Sequence, residues 1–304
     1  MLTCLFLFCA ITACNNRQYV LEYKLHEDTV YSQQTEIKVN NRQQLHNDTL
    51  ELKNTLTIVL NNKVEKLTDS ITTINAYYDY ISQNWEYIES EFNSEDTTVT
   101  ATLKNPAPLL RVIKHIPFKI SINKYGLIDN IAGFDTVYTT WLNTVDTAEI
   151  FNEETITLVE RDLGLNAFKT TVSRFTAIFP DHPVKVGDSW KIVDKHYGNF
   201  IITLNGELKL QKVKNNIATI KYNADIIALP ADNTTDISGL ATTYDLKGTQ
   251  VGEVSVNILN GFINEGEMTQ TLSGTVKMKR QKPAASIEIP VELIIRIKQK
   301  NIRD

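Results

Sequence analysis

Over most of this chain apolar and polar residues change places at every second position, the period of a strand with one buried face. Ala218, Ile220, Tyr222, Ala224, Ile226 and Ala228 fall on one side of such a run. Ile287, Ile289, Val291, Leu293, Ile295 and Ile297 do the same near the C-terminus. Runs rich in Thr, Val and Ile at 50–60 and 67–80 also read as strands, with a break expected at Asn61-Asn62. Phe118 to Asn123 alternates, turns at Lys124-Tyr125-Gly126 and resumes at Leu127-Ile128. Strands this long predict a strongly curved sheet, a barrel-like or half-barrel wall.

The period changes in one region. Val137, Trp141, Val145 and Ala148 recur at helical spacing, Tyr138 and Leu142 widen the stripe, and Asp135 is placed to cap. A second helical run is expected near Glu153-Glu154. A third, after Asn166, carries Phe168, Val172, Phe175 and Phe179 and ends at Pro180. Three helices across one face or open end of the sheet are the expectation.

The stretch from Phe179 to Trp190 separates two β-rich halves. Pro180 and Pro183 forbid helix, Gly187-Asp188 supplies a turn, and Trp190 starts the next strand. The halves resemble one another. Ile120-Ser121-Ile122-Asn123 with Gly126-Leu127-Ile128 parallels Val254-Ser255-Val256-Asn257 with Gly261-Phe262-Ile263. Each half also opens with an Asp-led turn into an aromatic strand residue, Asp28 to Tyr31 and Asp188 to Trp190. The fold class expected is mainly antiparallel β (α+β), two similar curved units joined by a helical insert and covered by its helices. The organisation is a leader at 1–13, a tether at 14–18, a β unit at 19–134, the insert at 135–179 and a second β unit at 180–304.

The N-terminus adds an address. Leu2 to Ala13 is too short to span a bilayer as a helix but suits a signal-peptide core. Ile11-Thr12-Ala13-Cys14 resembles a bacterial lipobox, although no Lys or Arg precedes the apolar run. The resemblance implies that Cys14 is lipidated and that the membrane is a partner through it. Asn15, rather than Asp, after the cysteine implies an outer-membrane anchor facing the periplasm. Four residues separate Cys14 from Tyr19, at most about 14 Å of chain, so the folded body is expected close to the membrane. No cysteine follows Cys14, which excludes a disulfide, a thiol nucleophile and a cysteine metal site in the mature chain. A net charge of −5 over 304 residues argues against nucleic-acid binding.

Candidate chemistry is sparse. Gly187-Asp188-Ser189 invites comparison with esterases that carry Gly-Asp-Ser-Leu near the mature N-terminus. Here the motif is central, Trp190 replaces the leucine, and no histidine follows His196. A turn explains it better than a nucleophile, which needs a base within reach. His26, His46, His115, His182 and His196 have no metal-ligand spacing. No catalytic residue, metal or cofactor is assigned. Tyr78, Tyr80, Trp85 and Tyr87, with Trp141 and Trp190, are the possible ligand or partner contacts, against the simpler reading of aromatics in a core. Lys277, Lys279, Arg280 and Lys282, with Arg296, Lys298, Lys300 and Arg303, form either a basic patch or a solvated outer face.

The lipobox, the Phe-Pro-x-x-Pro-Val-x-x-Gly-Asp-x-Trp stretch and the turns near Gly126 and Gly261 together resemble an uncharacterised lipoprotein family typical of Bacteroidota. The likeness implies an address and a broad shape. The expected function is that of a non-enzymatic envelope lipoprotein binding a hydrophobic ligand, in a cavity beneath the helices, or a protein partner. The alternatives are a scaffold lipoprotein without a cavity and a hydrolase whose site is assembled from distant residues.

Overall fold

The computed structural model describes residues 17–86, 90–97, 110–147, 177–196, 201–229, 235–237, 240–280 and 285–303. They form thirteen strands and one helix: β1 (Val30–Leu45), β2 (Asp48–Leu67), β3 (Ile71–Trp85), β4 (Ser90–Asn93), β5 (Phe118–Asn123), β6 (Ile128–Ala132), α1 (Phe134–Thr147), β7 (Ser189–His196), β8 (Ile201–Lys214), β9 (Ile217–Leu229), β10 (Thr235–Ile237), β11 (Leu240–Asn257), β12 (Ile263–Arg280) and β13 (Ala285–Arg303). All belong to one sheet of order β6-β5-β3-β2-β1-β13-β12-β11-β9-β8-β7, with β4 beside β3 and β10 beside β11. Every pairing is antiparallel. The order is two meanders side by side, β6-β5-β3-β2-β1 and β13-β12-β11-β9-β8-β7, joined where β1 pairs with β13.

Three expectations are corrected. The wall is not a closed barrel, because β6 and β7 are its two edges. The five residues of β6 run straight into Gly133 and α1, which leaves no long strand to pair with β7. The helical cover is not borne out. α1 is the one helix described from end to end, and it packs at the end of β5 through Phe134, whose ring stands edge-on to Phe118 at 5.7 Å. The second expected helix and most of the third lie outside the described residues; Ala177 to Pro180, the expected end of the third, is not helical. Asn61 and Asn62 do not break a strand either. Both are buried inside β2, where Ser32 Oγ donates to Asn61 Oδ1 and Asn61 Nδ2 donates to the Tyr77 hydroxyl.

The inner face carries two apolar clusters. The larger draws on both meanders, on Phe134 and Val137 of α1, and on Tyr19, Leu21, Tyr23 and Leu25 of an extended segment ahead of β1. The smaller lies along β8, β9, β11, β12 and β13, with Leu204, Ile226, Leu246 and Leu272 at its centre. Between them on adjacent strands Gln270 Nε2 donates to Gln250 Oε1 at 2.6 Å, both side chains being buried. The outer face is charged. Arg42 pairs with Glu292, Lys277 with Glu288 and Lys298 with Glu267 across neighbouring strands. A lipid-embedded barrel carries an apolar outward band in these positions; this wall presents its charge to water.

One end of the wall is stitched by backbone bonds between distant segments. Tyr19 and Val184 exchange N–H···O bonds of 2.7 and 2.9 Å, Tyr23 N donates to Lys124 O at 2.8 Å, and Lys24 N donates to Asn260 O at 2.9 Å. Phe179 N donates to Tyr125 O at 3.0 Å. The turns at Gly126 and Gly261 are built alike. Asn123 Oδ1 accepts from Tyr125 and Leu127 amides, Asn257 Oδ1 accepts from the Leu259 amide, and both glycines have positive φ, +81° and +73°.

Candidate functional site

The aromatic residues singled out from sequence do not form a binding platform. Tyr78, Trp141 and Trp190 are buried. Tyr78 packs against Phe118 at 5.8 Å between ring centres, and burial pushes its hydroxyl well above the ordinary phenol range. The Trp190 indole N–H donates to Ile178 O at 3.2 Å, so this side chain clamps the central stretch onto β7. Tyr80 and Trp85 are half-buried along β3, and Tyr87 lies outside the described residues. Aromatic rings favour pleated, half-buried surfaces, and here that preference accounts for most of them.

The motif at 187–189 is a turn. Asp188 Oδ2 accepts from the Lys185 amide at 2.8 Å, and Asp188 N donates back to Lys185 O at 3.0 Å. Gly187 N donates to Leu210 O and Leu210 N to Asp188 O, which ties the turn to β8. With φ +100°, Gly187 takes a conformation that a side chain resists. His182 hydrogen-bonds Asp181 at 2.7 Å on an exposed corner, and that bond holds the Asp181 carboxyl below its ordinary range. His115 sits with its Nδ1 3.9 Å from Asp79 Oδ1 and its ring 5.5 Å from that of Tyr77. The side chain of His196 lies outside the described residues. Among the described residues no three His, Cys, Asp or Glu side chains gather as metal ligands.

The structure brings together a different set. A groove of about 590 Å³ lies on the outer face of β11, β12, β13 and β1, lined chiefly by Glu36, Glu253, Glu265, Glu267, Lys298 and Lys300. Register explains the assembly. Lys298 lies opposite Glu36 on one side and Glu267 on the other, and Lys300 opposite Gln34 and Glu265. Glu253 faces Glu267. The sequence left Lys298 and Lys300 between a basic patch and a solvated outer face; they stand on the outer face, and pairing interleaves them with carboxylates, four to two. Lys298 Nζ stands 3.5 Å from Glu267 Oε1, and both side chains are more than half exposed (57% and 63%). A pair so open to water is worth about 0–1 kcal/mol, so these groups can exchange partners at little cost. The spacing Glu265-x-Glu267 and Lys298-x-Lys300 was visible in sequence as one outward face. Its adjacency to Glu36 and Glu253 depends on strand order, which no local pattern carries.

The family model described as "Family of unknown function (DUF6263)" matches residues 69–263. No curated protein matches the sequence. Among solved structures the chain is similar to lipovitellin, in a structure concerned with its lipid–protein interactions, at TM-score 0.49 and 10% identity over 92% of this chain and 26% of that one. The chain thus spans about a quarter of lipovitellin. It is also similar to an outer-membrane channel of Pseudomonas putida F1, at TM-score 0.24 and 8% identity over 92% and 97% of the two chains. A third similarity is to OmpF of Salmonella typhi in complex with daunomycin, at TM-score 0.23 and 9% identity over 91% and 100%. Likenesses this distant carry no function across.

Proposed function

We propose, from the premise that the chain belongs to the DUF6263 family of unknown function, that it is a lipid-anchored envelope protein that works by binding a protein partner rather than by catalysis. Its anchor is an acyl-modified Cys14, its location the periplasmic side of the outer membrane, and its partner site the charged groove between β1 and β11.

The observation that carries this reading is where space is filled and where it is left. A carrier of hydrophobic ligands needs an apolar cavity under the helix. Under α1 the side chains of Phe134 and Val137 join the larger core cluster and Trp141 is buried as well, so the described part of that region is packed. The groove lies on the opposite, water-facing side and offers both signs of charge at fixed strand spacing. Such an array orients a polar partner segment and speeds its encounter more than it adds raw affinity. The lipobox supports the anchor, and so does the short run from Cys14 to Tyr19, which is paired with Val184.

The test has two readings of one preparation. Full-length protein expressed in a diderm bacterium should carry diacylglyceryl mass on Cys14, and the Cys14→Ser protein without residues 1–13 should be released from the membrane fraction by a salt wash that leaves the wild type in place. Cross-linking in intact envelopes should then trap a protein that is lost when Glu253 and Glu267 are both changed to Lys. Unmodified Cys14 overturns the anchor. A cross-linked partner indifferent to the charge reversal overturns the groove.

A further inference from the structure

We infer that the stitched end of the wall is a bilayer-resting surface, in which Val20, Leu127, Val186 and Leu259 enter the head-group region of an anionic membrane beside Lys24, Lys124 and Lys185. The inference rests on the anchored reading for its orientation, but the surface itself does not depend on the acyl group.

The first observation is the placing of exposed apolar side chains. Val20 is 60% exposed, Leu259 62%, Leu127 43% and Val186 43%. They stand on four separate segments, so the alternation of a single strand does not account for them. The backbone bonds already described gather those segments: Val20 follows Tyr19, which is paired with Val184, and Val186 lies two residues beyond Val184. Leu259 precedes Asn260, which accepts from Lys24, and Leu127 follows the turn that accepts from Tyr23. Tight turns are ordinarily tipped with Gly, Asn, Asp or Ser, which bond their own backbone. Here the turns have those residues at their required positions, Asn123, Gly126, Asn257 and Gly261, and still place leucine outward.

The second observation is charge. Segments 17–24, 123–127, 179–188 and 257–261 hold four cations, Arg17, Lys24, Lys124 and Lys185, against the carboxylates Glu22, Asp181 and Asp188. These segments carry one cation more than carboxylates, and the neighbouring turn, whose Ser70 O accepts from Lys124 N, adds Asp69; what favours an anionic surface is therefore the placing of Lys24, Lys124 and Lys185 beside the apolar tips, not a net charge. Apolar tips flanked by lysine are the composition that settles at a lipid interface, the cations meeting phosphates while short apolar side chains reach the acyl boundary.

The third observation is the chain path. Two residues separate Cys14 from Arg17, three peptide steps or at most about 11 Å of extended chain, and Tyr19, Leu21, Tyr23 and Leu25 then lie in the core. A lipid on Cys14 would bring this end, and no other, against the bilayer.

The test uses Cys14→Ser protein without the leader residues 1–13, and sedimentation with vesicles of phosphatidylglycerol and phosphatidylethanolamine or of phosphatidylcholine alone. It should bind the anionic vesicles, lose binding as salt rises, and lose at least about fivefold in partitioning when Val20, Leu127 and Leu259 are all changed to Ser. Replacing Ile227, Val251 and Ile287, exposed apolar residues of the sheet faces, by Ser should leave binding unchanged. Equal losses in the two triples, or no binding by the Cys14→Ser protein, overturn the inference. So does a dimer in sedimentation velocity that the first triple dissolves, which would assign the surface to a second copy. Circular dichroism of both triples checks that the fold is retained. The acyl mass on wild-type Cys14 is read separately, so the anchor and the surface can fail independently.

Discussion

Gly126, Gly187 and Gly261 all have positive φ, yet they stand in different surroundings. A Cβ on Gly126 would lie 1.8 Å from Ala177 O and one on Gly261 2.3 Å from Glu22 O, whereas nothing lies within 4 Å of one on Gly187. Alanine at 187 should cost only the backbone term, about 1–3 kcal/mol. At 126 and 261 the fall in stability should be larger, because the carbonyls they approach belong to segments tied into the core. Urea unfolding of the three variants decides this, and equal losses would refute the close approach. The buried Gln250–Gln270 pair is a residue-scale feature of another kind. Two amides facing each other between apolar clusters satisfy part of each other's hydrogen bonding and define which rows of the sheet stand level. Both glutamines sit at inward positions of alternating strands, where an apolar residue is the rule, and no local signal marked them as a pair.

At the scale of elements, the segment before β1 has the greatest reach for its length. Tyr19, Leu21, Tyr23 and Leu25 point inward while Val20, Lys24 and His26 are exposed, a strand's alternation carried through by a single isolated bridge and otherwise irregular backbone bonds. Leu25 is fully buried. Its replacement by Ala should cost about 2–5 kcal/mol, by lost burial and the cavity left behind. Lys24→Ala, outward on the same segment, should stay within about 0.5 kcal/mol. Thermal unfolding of the pair tests whether the segment is core or tether. The sequence marked this run as strand-like from its first residue. It placed the helix at 135 onward and the β5–β6 turn with comparable success, since each has a period or punctuation of its own. It failed at Asn61-Asn62, where partners on β1 and β3 satisfy side chains that would otherwise favour a turn.

For the molecule as a whole, the wall's core carries phenols that lose their proton reluctantly. Burial raises Tyr23, with the neighbouring Tyr31 adding to it, and raises Tyr78; Tyr222 is pushed up to about 12, chiefly by burial. In the unfolded chain these groups ionise near pH 10. A fold that holds the proton is unaffected below that pH and is destabilised as pH rises above it, because only the unfolded state releases the proton. Stability should therefore fall steeply above about pH 10. Phenolate absorbance from these tyrosines should appear together with loss of the strand circular-dichroism signal. Phenolate appearing while the sheet stays intact would show that the inner face is open to water. At the same scale, the antiparallel pairing of β13 with β1 joins the two meanders into one sheet.

By itself the sequence determined the strand class, the alternation that sorts each strand into an inner and an outer face, the position of α1, and the turns at Gly126, Gly187 and Gly261. All of these follow from interactions between residues close along the chain, or from which side chains water rejects. Only the tertiary structure decided that there is one open sheet, that Trp190 and Tyr78 are core, that Lys298 and Lys300 stand among glutamates, and that four apolar tips share one end. Those facts depend on register and strand order, and pairing is set by the summed fit of many distant residues that no single segment of this chain can report.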